Sequence, residues 1–505
     1  MSGTNNPKIA LIILDGWGIG QKDNSNPIYA AKIPNLDRLK SNFPYLGLQA
    51  SGLAIGLPWQ EEGNSEIGHL TLGAGRIVYQ NVANIDSFID NGSFFENAVL
   101  KRSFTKAKES GSSVCLVGMI GSGITHSSLK HLSALIEMAD KMGVDYKLHL
   151  FTDGRDSSQK DCLNIIKTLP QEKIGSLTGR FYAMDRDGHM ERVEEAFKAM
   201  VGKKPTTGTP SQYIEKNYAS GVTDEFIRAA SFGGENMSVK PSDSIVFFNF
   251  RKDRMRQISA LFRKEFPDTE ISSFTEYEIN NGIPKAFSLE GVENPLAKIL
   301  ADRGKSQLRV AESEKSAHVT YFFDAEREDP FPREFRVIIP SKKVASHDKY
   351  PEMMAEEITT RIISALEEGS YDFILANYAN ADMVAHTGNF DATVKAVEIL
   401  DKQIGLIADT CLKTGATLIL TSDHGNAEKL IDSHTGEKDT KHNSSPVPVI
   451  VIDKRFERIR TPEEIEDNEK LTVGSLCDIA PTVLELMGIE KPAEMTGQSI
   501  IPYLQ

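Results

Sequence analysis

Residues 416–426 read Ala-Thr-Leu-Ile-Leu-Thr-Ser-Asp-His-Gly-Asn, an apolar run that ends in an aspartate and a histidine. The first six residues of this stretch are rich in β-branched and leucine side chains, which predicts a buried strand. Asp423 and His424 follow at once, and Gly425 gives the backbone the freedom to turn both side chains toward one crevice. The stretch therefore indicates a strand whose carboxyl end carries chemically capable side chains.

The same arrangement recurs twice elsewhere in the chain. Residues 8–14 form an apolar run that leads to Asp15, and residues 371–377 form another that leads into the stretch 377–382. Such runs alternate with amphipathic helical patterns, for example at residues 352–368, which predicts an α/β fold with largely parallel sheets. Ligands bind at the carboxyl ends of strands in open α/β sheets, so we expect the three strand ends to converge on one site.

The chain has 505 residues, and single cores stop growing near roughly 250 to 300 residues, so two domains are expected. The predicted site draws on both ends of the chain, which makes the segment between about Arg76 and about Pro295 an inserted domain. We therefore predict a discontinuous domain of residues 1–76 and 296–505 and an insert of residues 77–295 that acts as a lid. Strands of the insert are expected at residues 113–117, 147–151, 180–183 and 245–250.

Charge and composition exclude several classes of function. Lys plus Arg number 57 and Asp plus Glu number 71, so the net charge is −14, and an acidic chain has no broad attraction to nucleic acid or anionic lipid. The apolar runs are far shorter than the ~20 residues that cross a bilayer, and no secretory signal is visible. The 4 cysteines lack CxxC spacing, which suits buried reduced thiols. We expect a cytoplasmic protein that binds neither membrane nor nucleic acid.

Carboxylates and imidazoles at these strand ends predict a metal site. Asp382 and His386 stand four residues apart, so one helical turn brings both to the same face, while Asp15 and the Asp423-His424 pair follow strands. This mixture suits Mn²⁺ or Zn²⁺ better than Ca²⁺, and the lack of thiolates argues against a structural zinc site. Any one such residue is more often a cap, a turn residue or a hydrogen-bonded histidine. Repetition of the placement in a chain with only 11 histidines favours a site for two ions.

Residues 63–69, Gly-Asn-Ser-Glu-Ile-Gly-His, place Ser65 in a polar setting flanked by glycines. A serine hydroxyl is a poor nucleophile at neutral pH unless a base or a metal activates it. This window by itself favours the alternative, in which Asn64, Ser65 and Glu66 only cap a helix.

Motifs along essentially the whole chain resemble those of the cofactor-independent phosphoglycerate mutases. They are Leu-Asp-Gly-Trp-Gly at 14–18, Asn-Ser-Glu-Ile-Gly-His at 64–69, Asp-Gly-Arg-Asp at 153–156, Ala-Met-Asp-Arg-Asp at 183–187, Phe-Phe-Asn-Phe-Arg at 247–251, Ala-Asp-Met-Val-Ala-His-Thr-Gly at 381–388 and Ser-Asp-His-Gly-Asn-Ala-Glu at 422–428. The resemblance implies an α/β fold in which an alkaline-phosphatase-like metal-binding domain carries an inserted α/β transferase domain. It also implies that 3-phosphoglycerate and 2-phosphoglycerate are interconverted through a phosphoserine at Ser65, in glycolysis and gluconeogenesis, without 2,3-bisphosphoglycerate.

The resemblance further implies two Mn²⁺ ions with separate ligand sets. One set is Asp382, His386 and His442, and the other is Asp15, Ser65, Asp423 and His424. His442 lies in Thr-Lys-His-Asn-Ser-Ser-Pro at 440–446, where family members read Thr-Ala-His-Thr-Thr-Asn-Pro. His434 is the alternative ligand nearby, and the distance to the Pro-Val-Pro sequence at 446–448 favours His442.

A phosphorylated three-carbon acid carries a phosphate and a carboxylate, and the arginine side chain binds either oxyanion bidentately. The resemblance implies substrate contacts for His126, Arg155, Arg186, Arg192, Arg251 and Arg254, with Asp156 as the acid/base residue and Lys315 stabilising charge on the transferring phosphoryl group. Alternatively, the arginines pair with neighbouring aspartates on the surface and Lys315 is a surface lysine. His126 stands in Gly-Ser-Gly-Ile-Thr-His-Ser-Ser at 121–128, where the family reads Ser-Asp-Gly-Gly-Val-His-Ser-His.

Three other functions fit parts of this pattern. A phosphatase or phosphodiesterase of the same superfamily would keep the metals and the nucleophile but would need no arginines that retain glycerate. A phosphopentomutase would not match the large insert motif by motif, and a binding protein without catalysis would not need Ser65 with a full ligand set. The sequence favours a monomeric mutase whose partner is a small-molecule substrate.

Overall fold

The computed structural model describes residues 8–59, 61–278, 282–288, 291–432 and 435–504. The chain forms two compact units, the first of residues 1–79 and 290–505 and the second of residues 80–289. Each unit is built around its own sheet with helices on both faces, so the predicted α/β class is confirmed. Among the described residues, no helix combines the length and the apolar character needed to cross a membrane.

The strands and helices are numbered in chain order. The strands are β1 Ile9–Leu14, β2 Tyr45–Gln49, β3 Ser113–Ile120, β4 Asp145–Thr152, β5 Ile174–Gly179, β6 Ala230–Ser231, β7 Ser244–Phe247, β8 Glu270–Ser273, β9 Gln307–Glu312, β10 Glu334–Ile339, β11 Phe373–Tyr378, β12 Thr417–Thr421, β13 Val447–Ile452 and β14 Thr472–Ser475. The α-helices are α1 Pro27–Ala30, α2 Pro34–Asn42, α3 Ser65–Ala74, α4 Asn81–Asp90, α5 Ala98–Glu109, α6 Leu129–Met142, α7 Cys162–Ile166, α8 Arg180–Ala183, α9 Met190–Met200, α10 Pro210–Ala219, α11 Arg256–Glu265, α12 Leu296–Asp302, α13 Ala355–Glu368, α14 Asn380–Ala385, α15 Phe390–Thr414, α16 Pro462–Lys470 and α17 Ile479–Leu486.

The sheet of the first unit has the strand order β10-β9-β11-β1-β12-β13-β2-β14. The neighbours β9, β11, β1 and β12 are parallel, whereas β13 runs antiparallel to both β12 and β2. In this register Ile13 of β1 pairs with Asn377 of β11 and with Thr421 of β12. The carboxyl ends of four adjacent strands therefore lie at one edge of the sheet.

The centre of this sheet is buried on both faces, as expected for parallel strands covered by helices. The even-numbered residues of β1, from 10 to 14, pack into a core shared with α13 and α15. Its odd-numbered residues, from 9 to 13, pack into a second core shared with α12 and α17. The amphipathic helix predicted at residues 352–368 is observed as α13, and its Ile358, Ile362 and Leu366 are buried in the first core. A shift of β1 by one residue would turn each of its side chains toward the opposite core, so the register of β1 is fixed.

The sheet of the second unit has the order β6-β5-β4-β3-β7-β8 and is parallel except for β6. The predicted strand at residues 180–183 is wrong, because these residues form the short helix α8 and the strand β5 precedes them at Ile174–Gly179. β5 contains two glycines, which weaken its local strand signal, and it is pairing with β4 that makes it a strand. The error matters because the structure places Arg180 directly after the carboxyl end of β5, not at the start of a strand.

Helix α3 carries the predicted nucleophile at its first position. Asn64 is the N-cap, and its side chain accepts a hydrogen bond of 3.0 Å from the backbone nitrogen of Ile67. The capping alternative is therefore correct for Asn64 and leaves the Ser65 hydroxyl free for other contacts. Further along, a Cβ atom on Gly73 would lie 2.0 Å from the carbonyl oxygen of Phe323. This close approach holds α3 against the neighbouring backbone.

We expect Gly73→Ala to lower the Tm of the protein. The clash with the Phe323 carbonyl is an overpacking defect of about 1–3 kcal/mol, and better helix propensity returns at most about 1 kcal/mol. Differential scanning calorimetry measures the change. Gly291→Ala is the control, because a Cβ atom there meets nothing within 4 Å. Equal Tm values for the two variants would contradict close packing at Gly73.

Candidate active site

Three buried carboxylates meet at the carboxyl edge of the first sheet. Asp15 follows β1, Asp382 lies in α14 just after β11, and Asp423 follows β12. Their exposed fractions are 0%, 2% and 0%. The parallel register explains the convergence, because the three strands are neighbours that end side by side. Isolated buried charges are costly, so this edge requires nearby cations.

The segments that carry these aspartates are joined by hydrogen bonds from backbone nitrogens. The Asp382 nitrogen donates to the Asp15 carbonyl over 3.1 Å, and the Gly16 nitrogen donates to Asp423 Oδ1 over 3.2 Å. Gly16 has a φ of +71°, and a Cβ atom there would lie 2.8 Å from the Asp382 Cβ. Glycine therefore satisfies both the backbone conformation and the lack of space between two loops.

Lys315 supplies one cation to the carboxylates. It follows β9, the fourth parallel strand, and is only 5% exposed, so the surface-lysine alternative is wrong. Its Nζ donates to Asp15 Oδ1 over 2.6 Å, to Asp382 Oδ2 over 2.7 Å and to Ser65 Oγ over 2.7 Å. Burial would lower the pKa of Lys315, but Asp15 and Asp382 raise it above its ordinary value. The side chain is therefore an ammonium ion that touches the predicted nucleophile.

The Ser65 hydroxyl is the point at which these groups meet. Ser65 Oγ donates to Asp15 Oδ1 over 3.1 Å and lies 3.0 Å from His424 Nε2. Only 6% of the residue is exposed. The hydroxyl thus has the carboxylate of Asp15, the ammonium of Lys315 and the imidazole of His424 within hydrogen-bonding distance. An activated serine requires such a setting.

Asp382, His386 and His442 form one group of possible metal ligands, with ligand atoms within 4.8 Å of one another. His386 Nδ1 faces the Thr440 carbonyl at 2.8 Å, and His442 Nδ1 faces the Gly63 carbonyl at 3.0 Å. Since a carbonyl only accepts, both Nδ1 atoms carry protons. The two Nε2 atoms lie 3.1 Å apart and within 3.4 Å of Asp382 Oδ1. Nitrogen lone pairs that converge on a carboxylate suit a cation.

Asp15, Asp423 and His424 form a second group within the same 4.8 Å limit. His424 Nδ1 is 3.3 Å from the Gly425 carbonyl, so Nε2 faces Asp15 Oδ1 at 3.5 Å and Asp423 Oδ2 at 3.7 Å. Asp423 Oδ2 is buried and receives no hydrogen bond from the described residues. Carboxylate oxygens and imidazole nitrogens without thiolates are donors that fit a divalent transition ion.

The two groups differ in their access to solvent. The side chains of His386 and His442 are 38% and 22% exposed, whereas Asp423 and His424 are fully buried. A surface cavity of about 480 Å³ is lined by both exposed histidines and by Asn64, next to the nucleophile. The alternative ligand His434 lies outside the described residues.

Sequence reasoning missed two residues that tie the site together. His69 lies one helical turn after Ser65, where its Nδ1 donates to the Ser65 carbonyl over 2.9 Å and stands 3.2 Å from Asp423 Oδ2. Asn377 Nδ2 donates to Asp15 Oδ2 over 2.7 Å and to His69 Nε2 over 3.1 Å. The four-residue spacing of Ser65 and His69 is a signal that was present in the sequence.

In the second unit, the structure places the predicted acid/base residue Asp156 beside His126, with 3.4 Å between Asp156 Oδ2 and His126 Nε2. Both contact Arg180, which sequence reasoning did not select. Arg155 directly precedes Asp156, has a side chain that is 57% exposed and lies 4.0 Å from Glu225.

The remaining predicted arginines lie near aspartates or backbone oxygens. Arg186 Nη1 and Arg251 Nε approach Asp253 to 3.3 Å and 3.0 Å, and both side chains are 49% exposed. Arg192 pairs with Asp185 at 3.0 Å, and Arg254 donates to the Met184 carbonyl over 3.2 Å. The surface-pairing alternative thus describes Arg186 and Arg251 as they stand, whereas Asp185, the partner of Arg192, is buried. Exposed pairs contribute little energy, so Arg186 and Arg251 can exchange a carboxylate for a ligand oxyanion at small cost.

Known proteins resemble this chain over its full length. Residues 7–491 match the family model of the metalloenzyme superfamily. The 2,3-bisphosphoglycerate-independent phosphoglycerate mutase of Pseudomonas fluorescens strain Pf0-1 is 44% identical over 518 residues, with 99% of this chain and 100% of the relative covered. The enzyme of the same name from Clostridium beijerinckii is 42% identical, with 98% of each chain covered. The chain belongs to the 2,3-bisphosphoglycerate-independent phosphoglycerate mutases.

A solved structure agrees with this family. The phosphoglycerate mutase of Leishmania mexicana, crystallised at low cobalt concentration, matches with a TM-score of 0.61 and 26% identity over 99% of this chain and 98% of that one. The expected α/β fold with an inserted unit is therefore confirmed for this mutase-family chain, as is its place among the metalloenzymes.

Buried acid charge also determines how the histidines of this mutase-family site titrate. Burial would lower the pKa of His424, but the negative charges of Asp423, Asp15 and Asp382 raise it to about 9. A hydrogen bond to Asp382 raises the pKa of His386 as well. At neutral pH a cation must therefore compete with a proton for His424 Nε2.

We expect binding of Mn²⁺ to the chelator-treated protein to release about one proton from His424 at about pH 8. An ordinary histidine, with a pKa of about 6.5, would release almost none there. Isothermal titration calorimetry in buffers of different ionisation enthalpy measures the release. Because its raised pKa of about 9 keeps His424 protonated at lower pH, the proton release should disappear as the pH rises through that value. A binding enthalpy independent of the buffer at about pH 8 would contradict the raised pKa.

Proposed function

We propose that this protein is a phosphoglycerate mutase of glycolysis and gluconeogenesis that interconverts 3-phosphoglycerate and 2-phosphoglycerate without 2,3-bisphosphoglycerate. The observation that carries the proposal is the setting of Ser65. In a chain that resembles the mutases over its full length, Ser65 Oγ lies 2.7 Å from Lys315 Nζ and 3.1 Å from Asp15 Oδ1. A cytoplasmic monomer is the expected form.

The proposed cofactors are two Mn²⁺ ions, held by Asp382, His386 and His442 and by Asp15, Ser65, Asp423 and His424. Bound divalent ions supply positive charge that lowers the pKa of a ligated hydroxyl and stabilises negative charge on phosphoryl oxygens. The convergent Nε2 atoms of His386 and His442 and the buried carboxylates support this assignment.

Ser65 is the proposed nucleophile. Its deprotonated oxygen attacks phosphorus and the bond from phosphorus to the substrate oxygen breaks. Asp156 protonates the oxygen that leaves, and a phosphoserine and glycerate result. The ammonium of Lys315 is positioned to stabilise the negative phosphoryl oxygens during this transfer. The reverse transfer to the other hydroxyl of glycerate then completes the isomerisation.

Residues 77–295 are the proposed substrate-binding transferase domain, and residues 1–76 and 296–505 the metal-binding domain. Asp156 gives a proton to the substrate oxygen that leaves in the first transfer. It takes a proton from the glycerate hydroxyl that attacks phosphoserine in the second. His126 and the arginines 155, 186, 192, 251 and 254 bind the carboxylate and phosphate groups. Retention of glycerate is essential, because a phosphoserine that meets water becomes free phosphate.

Incubation of the Mn²⁺-loaded protein with 3-phosphoglycerate tests the function. We expect 2-phosphoglycerate as the product, because the arginine-rich unit retains glycerate, whereas a hydrolase of the same superfamily would give free phosphate. Nuclear magnetic resonance of ³¹P separates the two products. Phosphate alone would overturn the proposal in favour of a phosphatase. Formation of neither product would indicate a binding protein without catalysis.

Ser65→Ala should abolish turnover, because the substitution removes the oxygen that accepts the phosphoryl group. Ser110→Ala, at the exposed end of α5, is the matched control and should keep full activity. Mass spectrometry of the wild-type protein quenched during turnover should find phosphate on Ser65. Mutase activity in the Ser65→Ala variant would exclude this nucleophile.

Activity should fall at mildly acidic pH, because protons compete with the cation for the imidazoles and the pKa of His386 is raised by its hydrogen bond to Asp382. A profile of kcat/KM against pH at two Mn²⁺ concentrations measures the competition. The higher concentration should move the acidic limb to lower pH. A profile that stays flat below about pH 6 would contradict the proposed imidazole ligands.

A further inference from the structure

Arg180 is a buried cation in the second unit to which no role has been assigned so far. It is the first residue of α8, immediately after β5, and is 3% exposed. Its Nη1 donates to Asp153 Oδ1 and to Asp156 Oδ2, each over 2.5 Å, and its Nη2 donates to His126 Nε2 over 2.9 Å. One guanidinium thus holds the proposed acid/base residue and a proposed substrate contact at once.

The contact with Arg180 determines which nitrogen of His126 carries the proton. A guanidinium has only donors, so His126 Nε2 must accept and the proton of the neutral ring resides on Nδ1. His126 is 2% exposed, and Nδ1 finds no hydrogen-bond partner among the described residues. Buried donors are normally satisfied, so a donor without a protein partner points to an acceptor on a ligand.

Arg180 is itself fixed by a residue that faces away from solvent. Asp153 is 1% exposed, and its Oδ1 also accepts from the backbone nitrogens of Arg155 and Asp156. Asp156 is more accessible, with 24% of its side chain exposed. The buried ion pair of Asp153 with Arg180 therefore anchors the guanidinium, and its other hydrogen bonds orient Asp156 and His126.

We propose that Arg180 is a positioning residue of the mutase reaction that fixes His126 as a neutral hydrogen-bond donor through Nδ1 and orients the Asp156 carboxylate beside it. The ligand atom that would accept from His126 Nδ1 is an oxygen of the phosphorylated hydroxy acid. This inference rests on the proposed function for the roles of His126 and Asp156. It adds a residue that acts through His126 and Asp156.

The charges around His126 support the neutral form. Burial, together with the repulsion from Arg180, lowers the pKa of His126 to about 4. Asp156 and Asp253 act in the opposite direction, and Arg251 adds a weaker repulsion. Loss of Arg180 would leave two carboxylates and one guanidinium near the ring, so the pKa should rise.

The experiment compares full-length Arg180→Met and Arg180→Lys with the wild type. Arg228→Met is the control, because Arg228 is an exposed arginine of the same unit that stacks over Tyr182, with 4.8 Å between Arg228 Cζ and the ring centroid. Nuclear magnetic resonance of the ¹⁵N-labelled histidine rings, assigned with His126→Gln, reports the tautomer and the pKa of His126 directly. Mutase kinetics supply a second readout.

In the wild type and in Arg228→Met we expect the Nδ1–H tautomer and a His126 pKa of about 4. In Arg180→Met the pKa should rise, and the Nε2–H tautomer should appear because Asp156 Oδ2, 3.4 Å away, can accept from it. Arg180→Lys keeps the charge but not the forked donors, so its pKa should rise less. We expect kcat of Arg180→Met to fall by about 10-fold or more with a smaller change in KM.

An unchanged His126 tautomer and pKa in Arg180→Met would overturn the positioning role, and so would wild-type kcat in that variant. If Arg180→Met does not fold, Arg180→Lys decides the question with the same two readouts. The two proposals fail separately. A wild type that forms no 2-phosphoglycerate refutes the proposed function, whereas a fully active Arg180→Met refutes only the role of Arg180.

Discussion

Three aspartates that share one buried edge of a sheet impose the constraint on which the rest of the first unit depends. Asp15, Asp382 and Asp423 are almost completely buried, and uncompensated charges in such a place would cost several kcal/mol each. Lys315 and His424 supply positive charge to them. The surplus of acidic groups makes the edge a strong attractor for further cations. Metal affinity and the setting of Ser65 are thus two consequences of one electrostatic arrangement.

The parallel register is what brings these charges together. β9, β11, β1 and β12 are adjacent, and each sends its next residues out of the sheet on the same side. Two buried faces fix the register of β1, and the Gly16 turn allows the loops to touch. The proposed nucleophile Ser65 does not follow a strand. It is the first residue of α3, whose capped start lies against the strand ends. A site of this kind depends on a rigid sheet more than on the loops.

In the second unit, as in the first, a buried cation lies between two carboxylates. Arg180 stands between Asp153 and Asp156 much as Lys315 stands between Asp15 and Asp382. The guanidinium has several donors in a plane, so it can hold two carboxylates and an imidazole in fixed directions, whereas the ammonium of Lys315 acts as a compact charge. The choice of cation matches the proposed tasks, which are orientation in one unit and charge stabilisation in the other.

Sequence by itself determined the α/β class, the family and the convergence of polar residues at three strand ends, because apolar runs, period-3.6 patterns and short motifs are local properties of the chain. It placed a strand at residues 180–183, since the glycine-containing β5 is recognisable only through its pairing with β4. It also passed over His69, Asn377 and Arg180. Their importance lies in which atoms they face, such as the bond from Asn377 to Asp15 across 362 positions of sequence. Contacts of that kind, and the burial that shifts a histidine pKa, arise only when distant segments pack together, so tertiary structure alone decided them.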